Sequence, residues 1–446
     1  MIGAKTVIFL IVPIILLNYL INQRIERPAP AVEKNGYFGE GDTRKDDEAI
    51  EAFQIEISKE RLDDLQKRLQ LERLLPKLDS TNRPSFKFLE LLRENFGKFD
   101  WKQHEYFLNT FKHYRTEIEG LKIHYIRQTL PPTTGKQVVP ILLLHGFPGS
   151  FWHFYKIAPL LSNPHRYGFD FGVKAPLLFD VIIPSLPGFL WSDKPTRSGM
   201  WTGDIARILA KLLKRLKIES TFVHGGAILG AEVASSLAVL YPKLVRGVHL
   251  SNPFLIPFCD LQTTAQHSVS YFGYNNDVDR SSTEIFEVAR LFQEFYPRSG
   301  DAIGSSLYNS PWGLTANLMS FWHEYSNGNY TAEKRKQLNE MFTVDELLTE
   351  IHLYWLSDTA PHALRLLENI NRHPDLCALS MSTVTRPTSI VSTPSSPFRF
   401  SRFQLSHKFH NITRYNILPK GGLFHSLQDA HSLAADIFAF VELETL

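Results

Sequence analysis

The sequence predicts an α/β protein with a mainly parallel sheet, helices on both faces of the sheet, and a helical insertion. Short apolar runs alternate with amphipathic helical stretches over residues 121–251, and strand patterns return within residues 373–446. Strands that alternate with helices indicate parallel pairing. The intervening residues 252–372 are aromatic and helical in pattern, which predicts a cap inserted between two parts of one core.

The chain opens on an apolar segment. Residues 6–21 carry no charged side chain and are mostly branched aliphatic. At about 1.5 Å per residue this run spans roughly 24 Å, and a snorkelling Lys5 extends it toward a bilayer core of about 30 Å. The sequence therefore predicts an uncleaved membrane anchor over residues 1–21. A cleaved signal peptide is the alternative, although no small-residue cleavage site follows.

The orientation of the anchor follows from the charges that flank it. Arg24 and Arg27 predict a cytoplasmic body, although Lys5 and the N-terminal amine oppose that orientation. Two triplets, Asn329-Tyr330-Thr331 and Asn411-Ile412-Thr413, fit the glycosylation pattern. They would matter only if the body were lumenal.

The anchor is followed by a polar stretch and then by helices. Residues 22–48 are rich in Pro, Glu, Lys, Gly and Asp, which predicts a linker. Residues 49–120 have apolar side chains at helical spacing and predict a helical N-terminal region, with two of its helices at 86–99 and 101–111.

Short apolar or alternating runs predict the strands of the core, which is divided into residues 121–251 and 373–446. The predicted strands lie at 123–126, 138–144, 179–184, 221–224, 245–250, 389–391 and 413–418. Helical patterns accompany them at 205–216, 232–241 and 428–442.

Glycine-containing loops follow two of the predicted strands. One loop contains Gly225, Gly226 and Gly230, and the other runs over residues 145–150. Glycines allow the backbone to turn sharply from a strand into a helix. Such a turn beside a second loop is typical of the nucleophile elbow and oxyanion loop of an α/β-hydrolase. The sequence therefore predicts an α/β-hydrolase fold with a cap.

The chain resembles the microsomal and juvenile-hormone epoxide hydrolases, members of the α/β-hydrolase superfamily, over residues from about 50 to 442. The family's His-Gly-Trp-Pro-Gly-Ser loop occurs here with Phe147 in place of Trp. Further matching segments follow in the family's order: 118–124, 154–161, 184–188, Asn309-Ser310-Pro311 and Tyr354-Trp355. The resemblance implies an N-terminal anchor and the hydrolysis of apolar epoxides to diols.

The family's reaction, as the resemblance implies it, uses five side chains. An Asp attacks an epoxide carbon and forms an ester, while two tyrosines of the cap bind the epoxide oxygen. A His paired with an acidic residue then activates water, which hydrolyses the ester. When the family's motifs are matched to this sequence, each of these side chains is replaced.

Two of the replacements lie inside well-matched motifs. The family's Gly-Gly-Asp-Trp-Gly motif reads GGAILG at residues 225–230, which has one residue more. Ala227 therefore stands at the nucleophile position, or Ile228 does in the alternative register. The Gly-Gly-His-Phe motif reads GGLF at residues 421–424, which puts Leu423 at the His position.

The other replacements depend on counted registers. Arg399 is the counterpart of the acid, after a short deletion in a Phe-Pro-x-Glu motif. Counting from the landmarks of the cap places Phe292 and Leu367 at the two tyrosines. None of the three side chains has the carboxylate or hydroxyl that the family's chemistry needs.

Three residues near the lost positions are candidates for a displaced role. His425 can turn toward the pocket, although a loop histidine is more often solvated or caps a helix. Tyr296 follows Phe292 by about one helical turn, and a packed aromatic is its alternative reading. Asp429 is either a displaced acid or a group that complements a helix dipole. His431, on the final helix, is a weaker candidate.

The oxyanion or pocket loop of the predicted site contains His145, Gly146, Phe147 and Pro148. His145 is expected to orient this loop. His224, which directly precedes the elbow, is expected to hydrogen-bond the backbone and not to catalyse.

The sequence thus predicts an epoxide-hydrolase-type protein of the endoplasmic-reticulum membrane that is catalytically impaired or inactive and binds an apolar ligand, an epoxide or a protein partner. Two alternatives stay open: an active hydrolase that uses displaced residues, and a purely structural interaction module. The 48 basic against 46 acidic residues leave no nucleic-acid footprint. Neither a cofactor nor a metal is expected, and Cys259 and Cys377 are interpreted as buried thiols.

Overall fold

A computed structural model of the protein describes residues 25–71, 84–130, 137–168, 177–256, 259, 285–327 and 336–445. The predicted membrane anchor over residues 1–21 lies outside these residues. Within the described ranges, no helix combines the length and the apolar character that a membrane crossing requires.

The described core is a nine-stranded sheet with the strand order β1-β2-β3-β5-β4-β6-β7-β8-β9. The first three strands pair antiparallel, β3 pairs antiparallel with β5, and the remaining neighbours pair parallel. The strands are Glu51–Phe53, His113–Ile118, Leu121–Gln128, Gln137–Leu144, Leu177–Pro184, Thr221–Gly225, Val245–Ser251, Thr388–Ser392 and Ile412–Ile417. The predicted α/β-hydrolase arrangement, with a mainly parallel sheet, is confirmed.

Helices cover the sheet and form the cap. Those before the cap, α1 to α6, are Lys59–Leu71, Pro84–Phe96, Trp101–Leu108, Ile157–Ser162, Thr202–Arg215 and Leu229–Leu240. The cap contributes α7 to α12, which are Ile285–Phe295, Gly300–Tyr308, Pro311–Asn327, Leu338–Met341, Val344–Leu356 and Thr359–Arg372. The last four, α13 to α16, are Leu376–Met381, Arg402–Leu405, His425–Gln428 and Ala430–Leu443.

Each predicted strand overlaps an observed one, but β1 and β2 were missed. Strand β2 reads His-Tyr-Arg-Thr-Glu-Ile, and its charged residues break the apolar pattern. It pairs along its whole length with β3, which provides the hydrogen bonds of its backbone. Its strand conformation therefore depends on this neighbour and not on its own residue composition. The two-residue turn between them, Glu119 and Gly120, has positive φ at both residues, as a tight hairpin requires.

The described part of the predicted linker, residues 25–48, has neither helix nor strand but is bound to the body. The Asp46 carboxylate accepts hydrogen bonds from the backbone N–H groups of Glu119 and Gly120 at 2.8 and 2.9 Å. The backbone N–H of Arg27 donates to Thr383 Oγ1 at 2.9 Å. The segment therefore runs across the folded surface as an integral part of it.

The interpretation of both cysteines as buried thiols is wrong. Cys259 and Cys377 form a disulfide across a sequence separation of 118, with their Cα atoms 5.2 Å apart. The bond ties the start of the cap insertion to α13. Two cysteines so far apart in sequence give no spacing pattern, so only the tertiary structure brings them together.

Candidate active site

The turn between β6 and α6 has the backbone of a nucleophile elbow. A Cβ atom on Gly225 would lie 2.2 Å from the carbonyl oxygen of Gly230, so this close approach requires glycine. Ala227 and Ile228 have φ angles of 49° and 61°, and the helix begins at Leu229. Positive φ is strained for a β-branched residue such as Ile228. The strained strand-to-helix turn is therefore present without a nucleophilic side chain.

A small cavity lies at the elbow, beside the predicted nucleophile position. Its described lining includes Ala227 but not Ile228, although both side chains are buried. Two successive positive φ angles, at Ala227 and Ile228, form the turn. Of these two residues Ala227 lines the cavity, and its methyl side chain can neither attack an epoxide nor carry charge.

The cavity has a volume of about 10 Å³. That is roughly the space of one water molecule, whereas sites for small organic ligands usually enclose about 300–1,000 Å³. Its described lining consists of Leu144, His145, Gly146, His153, Phe154, His224, Gly226, Ala227, Ser251, Leu423, His425, Ser426 and Leu433. The described residues thus leave no room for an epoxide substrate beside Ala227.

Leu423, which the sequence predicts at the family's His position, also lines this cavity and is 4 % exposed. Its backbone N–H donates to the carbonyl oxygen of Tyr325 at 3.0 Å, which joins the loop to cap helix α9. The aliphatic side chain cannot accept or donate a proton. Both replacements predicted from well-matched motifs are therefore brought together at one cavity.

The positions predicted from counted registers do not line the cavity. Arg399 lies in the loop between β8 and α14. Phe292 stacks on Phe254 at 6.4 Å between ring centroids, within a cluster that includes Phe398. Leu367 is buried in α12 at 1 % exposure. Apolar contacts occupy the places from which the resemblance expects two cap hydroxyls to act.

Of the rescue candidates, only His425 lies at the cavity. Its ring is 1 % exposed, so the expectation of a solvated loop histidine is wrong. Burial lowers the pKa of His425 to about 4, and neither ring nitrogen has a hydrogen-bond partner among the described residues. Asp429 caps α16 by accepting from the Ser432 N–H and hydroxyl, and Tyr296 packs on Phe292 at 5.1 Å. His431 is exposed on α16.

A buried relay that the sequence did not indicate ends at the same cavity. His249 Nε2 lies 3.1 Å from Asp436 Oδ1, and His249 Nδ1 lies 3.0 Å from His224 Nδ1. Burial alone would raise the pKa of the Asp436 carboxyl, but hydrogen bonds from His249 and Asn416 and the charge of Arg414 hold that pKa well below its ordinary value. Asp436 is therefore ionised.

The ionised carboxylate fixes one proton of this relay. Because Asp436 can only accept, His249 donates from Nε2, and in the neutral form of His249 its Nδ1 is an acceptor. In that form His224 donates from Nδ1, which leaves a lone pair on the His224 Nε2. His224 lines the cavity, and its Nε2 lies 4.0 Å from where a Cβ of Gly226 would stand. The expected backbone hydrogen bond of His224 is made to His249, whose ring it also contacts.

The sequence carried only part of this signal. His224 and His249 are register partners on the neighbouring strands β6 and β7, both of which the sequence predicts. Asp436 stands 187 residues beyond His249 on the final helix, so nothing local connects them.

The predicted pocket loop packs directly onto the elbow. His145 Nε2 accepts from the Leu186 N–H, and its Nδ1 donates to the Gly146 carbonyl, both at 3.1 Å. This agrees with an orienting role. Gly146 is required because a Cβ there would lie 1.9 Å from the Ala227 carbonyl oxygen. Phe147 faces the cap instead, 6.0 Å from Phe321, and Pro148 follows it through a cis peptide bond.

Cap helices hold the far end of this loop. The Tyr354 hydroxyl accepts from the Gly149 N–H and donates to the Gly149 carbonyl, both at 2.9 Å. Trp322 Nε1 donates to the Pro148 carbonyl at 3.0 Å. Ser150 Oγ donates to Glu350 Oε2 at 2.9 Å, and burial raises the pKa of that carboxyl to about 8. Loop and cap therefore form one packed unit.

Glu350 provides a test of this packing. Its folded pKa of about 8 lies above the unfolded value, so its stabilising contribution is complete below about pH 4.5 and is lost as the pH rises through 8. We expect Glu350→Gln, which mimics the protonated acid, to exceed the wild type in free energy of unfolding at pH 9 and to match it near pH 5. Urea titrations at both pH values measure this difference. The exposed Glu340→Gln is the control, and an equal effect of both variants would contradict a buried, protonated Glu350.

The site geometry and the sheet define an α/β-hydrolase with a cap. Two family patterns match the chain, "Epoxide hydrolase N terminus" at residues 50–154 and "alpha/beta hydrolase fold" at residues 139–339. The sequence is 30 % identical to epoxide hydrolase 1 of Oryctolagus cuniculus over 433 residues, which cover 92 % of this chain and 93 % of that protein. The chain belongs to the epoxide hydrolase family.

Other relatives agree with this assignment. Juvenile hormone epoxide hydrolase 2 of Ctenocephalides felis is 28 % identical over 440 residues, covering 94 % of this chain and 90 % of that protein. The crystal structure of juvenile hormone epoxide hydrolase from Bombyx mori matches with a TM-score of 0.81 and 23 % identity over 93 % of this chain and 99 % of that chain. At that identity the structural match establishes the fold alone. The family predicted from the motifs is confirmed.

No group of three or more His, Cys, Asp or Glu side chains within the described residues has the arrangement to hold a metal ion.

Proposed function

We propose that this protein is a catalytically silent member of the epoxide hydrolase family. One observation carries the proposal: the elbow residue that lines the cavity is Ala227, whose side chain is a methyl group. The ester route begins with attack by a carboxylate, and alanine has no atom that can form the ester. Leu423 at the same cavity further removes the base that would hydrolyse it.

The expected loss of reaction rate is large enough to decide between an impaired and an inactive enzyme. Removing one member of a nucleophile–base unit costs about 10⁴ to 10⁶ in rate, and removing the others adds little. Ala227 alone therefore brings the ester route close to the background rate. The apolar side chains at Phe292 and Leu367 also remove the hydrogen bonds that would stabilise a developing alkoxide.

The scaffold then has a binding role at a membrane. We place the protein at the endoplasmic-reticulum membrane, held by the apolar residues 6–21, with an apolar small molecule or a protein as its partner. The support for an apolar ligand is the aromatic cluster of Phe254, Phe292 and Phe398 at the base of the cap. A ligand would enter by displacing part of this cluster, since the described cavity is too small to admit one.

The hydration of styrene oxide by the purified full chain tests the proposal. We expect a rate equal to that of the heat-unfolded protein, and no covalent ester when the chain is mixed with excess epoxide. The double variant Ala227→Asp, Leu423→His is measured beside it. Turnover by the wild type that disappears on unfolding would refute the proposal.

A second candidate function is epoxide hydration by direct attack of water, and the His224–His249–Asp436 relay favours it. A water in the cavity would lose a proton to His224 Nε2 as its oxygen attacks the carbon of an epoxide that has displaced part of the aromatic cluster. The epoxide C–O bond breaks in the same step, and the alkoxide takes that proton from His224 to give the diol. This function predicts that the wild type hydrates the epoxide without forming an ester. It also predicts that His224→Gln lowers the rate of hydration by at least about 100-fold.

A further inference from the structure

Two features that lie apart from the candidate site bear on the compartment that holds the folded body. The first is the disulfide between Cys259 and Cys377. These are the two cysteines of the chain, and both take part in the bond. Disulfides form and persist in oxidising compartments and are rare in the cytosol, where thiols are kept reduced. The bond therefore favours the lumenal side of the endoplasmic-reticulum membrane.

The second feature is the exposed triplet Asn411-Ile412-Thr413. Asn411 occupies the turn that leads into β9, and its side chain is exposed. Its backbone carbonyl accepts the Thr388 N–H at 2.8 Å, so the turn is fixed while the side-chain amide faces solvent. An acceptor asparagine must project from the surface, because the glycan attached to it is bulky and polar.

Thr413 adds a separate observation. Its hydroxyl is buried and has no hydrogen-bond partner among the described residues. Burying an unpaired hydroxyl is unfavourable, and a valine of similar shape would avoid that cost at a strand position. Packing therefore gives no reason for a hydroxyl at residue 413, whereas the glycosylation pattern requires one.

The geometry points to Asn411 as an N-linked glycosylation site on a body that folds in an oxidising compartment. In the transfer, the side-chain amide nitrogen of Asn411 bonds to the anomeric carbon of a lipid-pyrophosphate-linked oligosaccharide. The bond from that carbon to the pyrophosphate breaks, the lipid pyrophosphate leaves, and the amide nitrogen loses one proton. A glycan here would stand beside β9, the last strand of the described sheet.

This placement reverses the orientation that the flanking charges favoured. Arg27 was counted toward a cytoplasmic body, but its backbone N–H is bound to Thr383, so it belongs to the folded body and not to a free flank. In the sequence, Arg24 then remains as the basic residue after residues 6–21, against Lys5 and the N-terminal amine before them. The charge difference across the anchor no longer favours the cytoplasm.

The occupancy of Asn411 is tested in the full chain expressed in animal cells. Treatment with a peptide N-glycosidase is expected to increase the gel mobility of the wild type. Asn411→Gln and Thr413→Ala are expected to lose one glycan, and Thr413→Ser to keep it. Asn329→Gln, in the second triplet, is the matched control. In this variant, glycosidase treatment must still produce the change in gel mobility that is assigned to Asn411. A wild type that glycosidase leaves unchanged, or a shift that depends on Asn329 alone, would overturn the proposal.

The disulfide is measured independently in the same cells. After alkylation of free thiols without reductant, peptide mass spectrometry is expected to find Cys259 linked to Cys377 and unalkylated. Complete alkylation of both cysteines would contradict the proposal that the body folds in an oxidising compartment. Neither measurement depends on epoxide turnover. A negative result here would therefore contradict the glycosylation site or the oxidising compartment, and it would leave the proposed lack of catalytic activity unaffected.

Discussion

Replacing Arg207 with methionine is expected to lower the free energy of unfolding by about 3–5 kcal/mol. Arg207 is 2 % exposed, and its Nε and Nη2 donate to the two carboxylate oxygens of Glu119 at 2.7 and 2.8 Å. Its Nη1 lies 2.7 Å from Asp204. The variant would leave both buried carboxylates without the guanidinium, and Lys211 reaches only Glu119. The arginine thereby joins α5 to the β2–β3 hairpin.

Urea unfolding followed by circular dichroism measures this effect. The control is Lys59→Met, which breaks an exposed ion pair with Asp63 and is expected to leave the free energy of unfolding nearly unchanged. Adding Glu119→Gln to Arg207→Met is expected to recover part of the loss, because one buried charge is removed. A loss below about 1 kcal/mol in Arg207→Met would show that the buried pair contributes no more than an average substitution site.

Acidification is expected to unfold the protein between about pH 6 and pH 4. Five buried histidines have pKa values lowered by burial, to about 3 for one and about 4 for the others: His153, His113, His145, His352 and His425. The unfolded chain binds these protons near pH 6.5, so stability falls as the pH drops below that value. At pH 5 each histidine costs roughly 2 kcal/mol, and the sum is comparable with the whole stability of a domain.

The buried carboxyl of Glu350 acts in the opposite direction, since its pKa of about 8 makes protonation favour the fold. One such group does not offset five histidines. Urea midpoints at pH 7.5, 6.0 and 5.0 check the prediction. His352 stacks on Phe99 at 4.4 Å, so His352→Phe keeps an aromatic contact and is expected to reduce the slope by up to about 1.4 kcal/mol per pH unit. A midpoint that stays constant from pH 7.5 to 5.0 would contradict buried, neutral histidines.

Most of the parallel part of the fold was predictable because its central strands are buried on both faces. Strand β5, Leu177–Pro184, is buried at every residue and is apolar apart from Asp180. The antiparallel edge was not predictable in the same way. Strand β2 has charged residues whose partners come from elsewhere, as when the Arg115 guanidinium contacts Asp193. Its strand character therefore depends on its neighbours and not on its own pattern.

The candidate site was predictable where a motif is local. Ala227 and Leu423 each lie in a short glycine-containing motif, and the structure brings both to one cavity. His425 was named from its position beside Leu423, but its burial was not foreseen. The relay through His249 was missed because its members come from two strands and a distant helix, and sequence spacing carries no information about such contacts.

The sequence by itself determined that this chain has an epoxide-hydrolase scaffold, and it predicts Ala227 at the family's nucleophile position. Strand patterns and glycine motifs are local, so the linear order of residues contains them. Only the tertiary structure decided that Ala227 and not Ile228 faces the cavity, because that choice depends on two backbone φ angles. The tertiary structure also paired Cys259 with Cys377 and Asp436 with His249. Those pairings join residues that are distant in sequence, and only the packing of the complete sheet and cap brings them into contact.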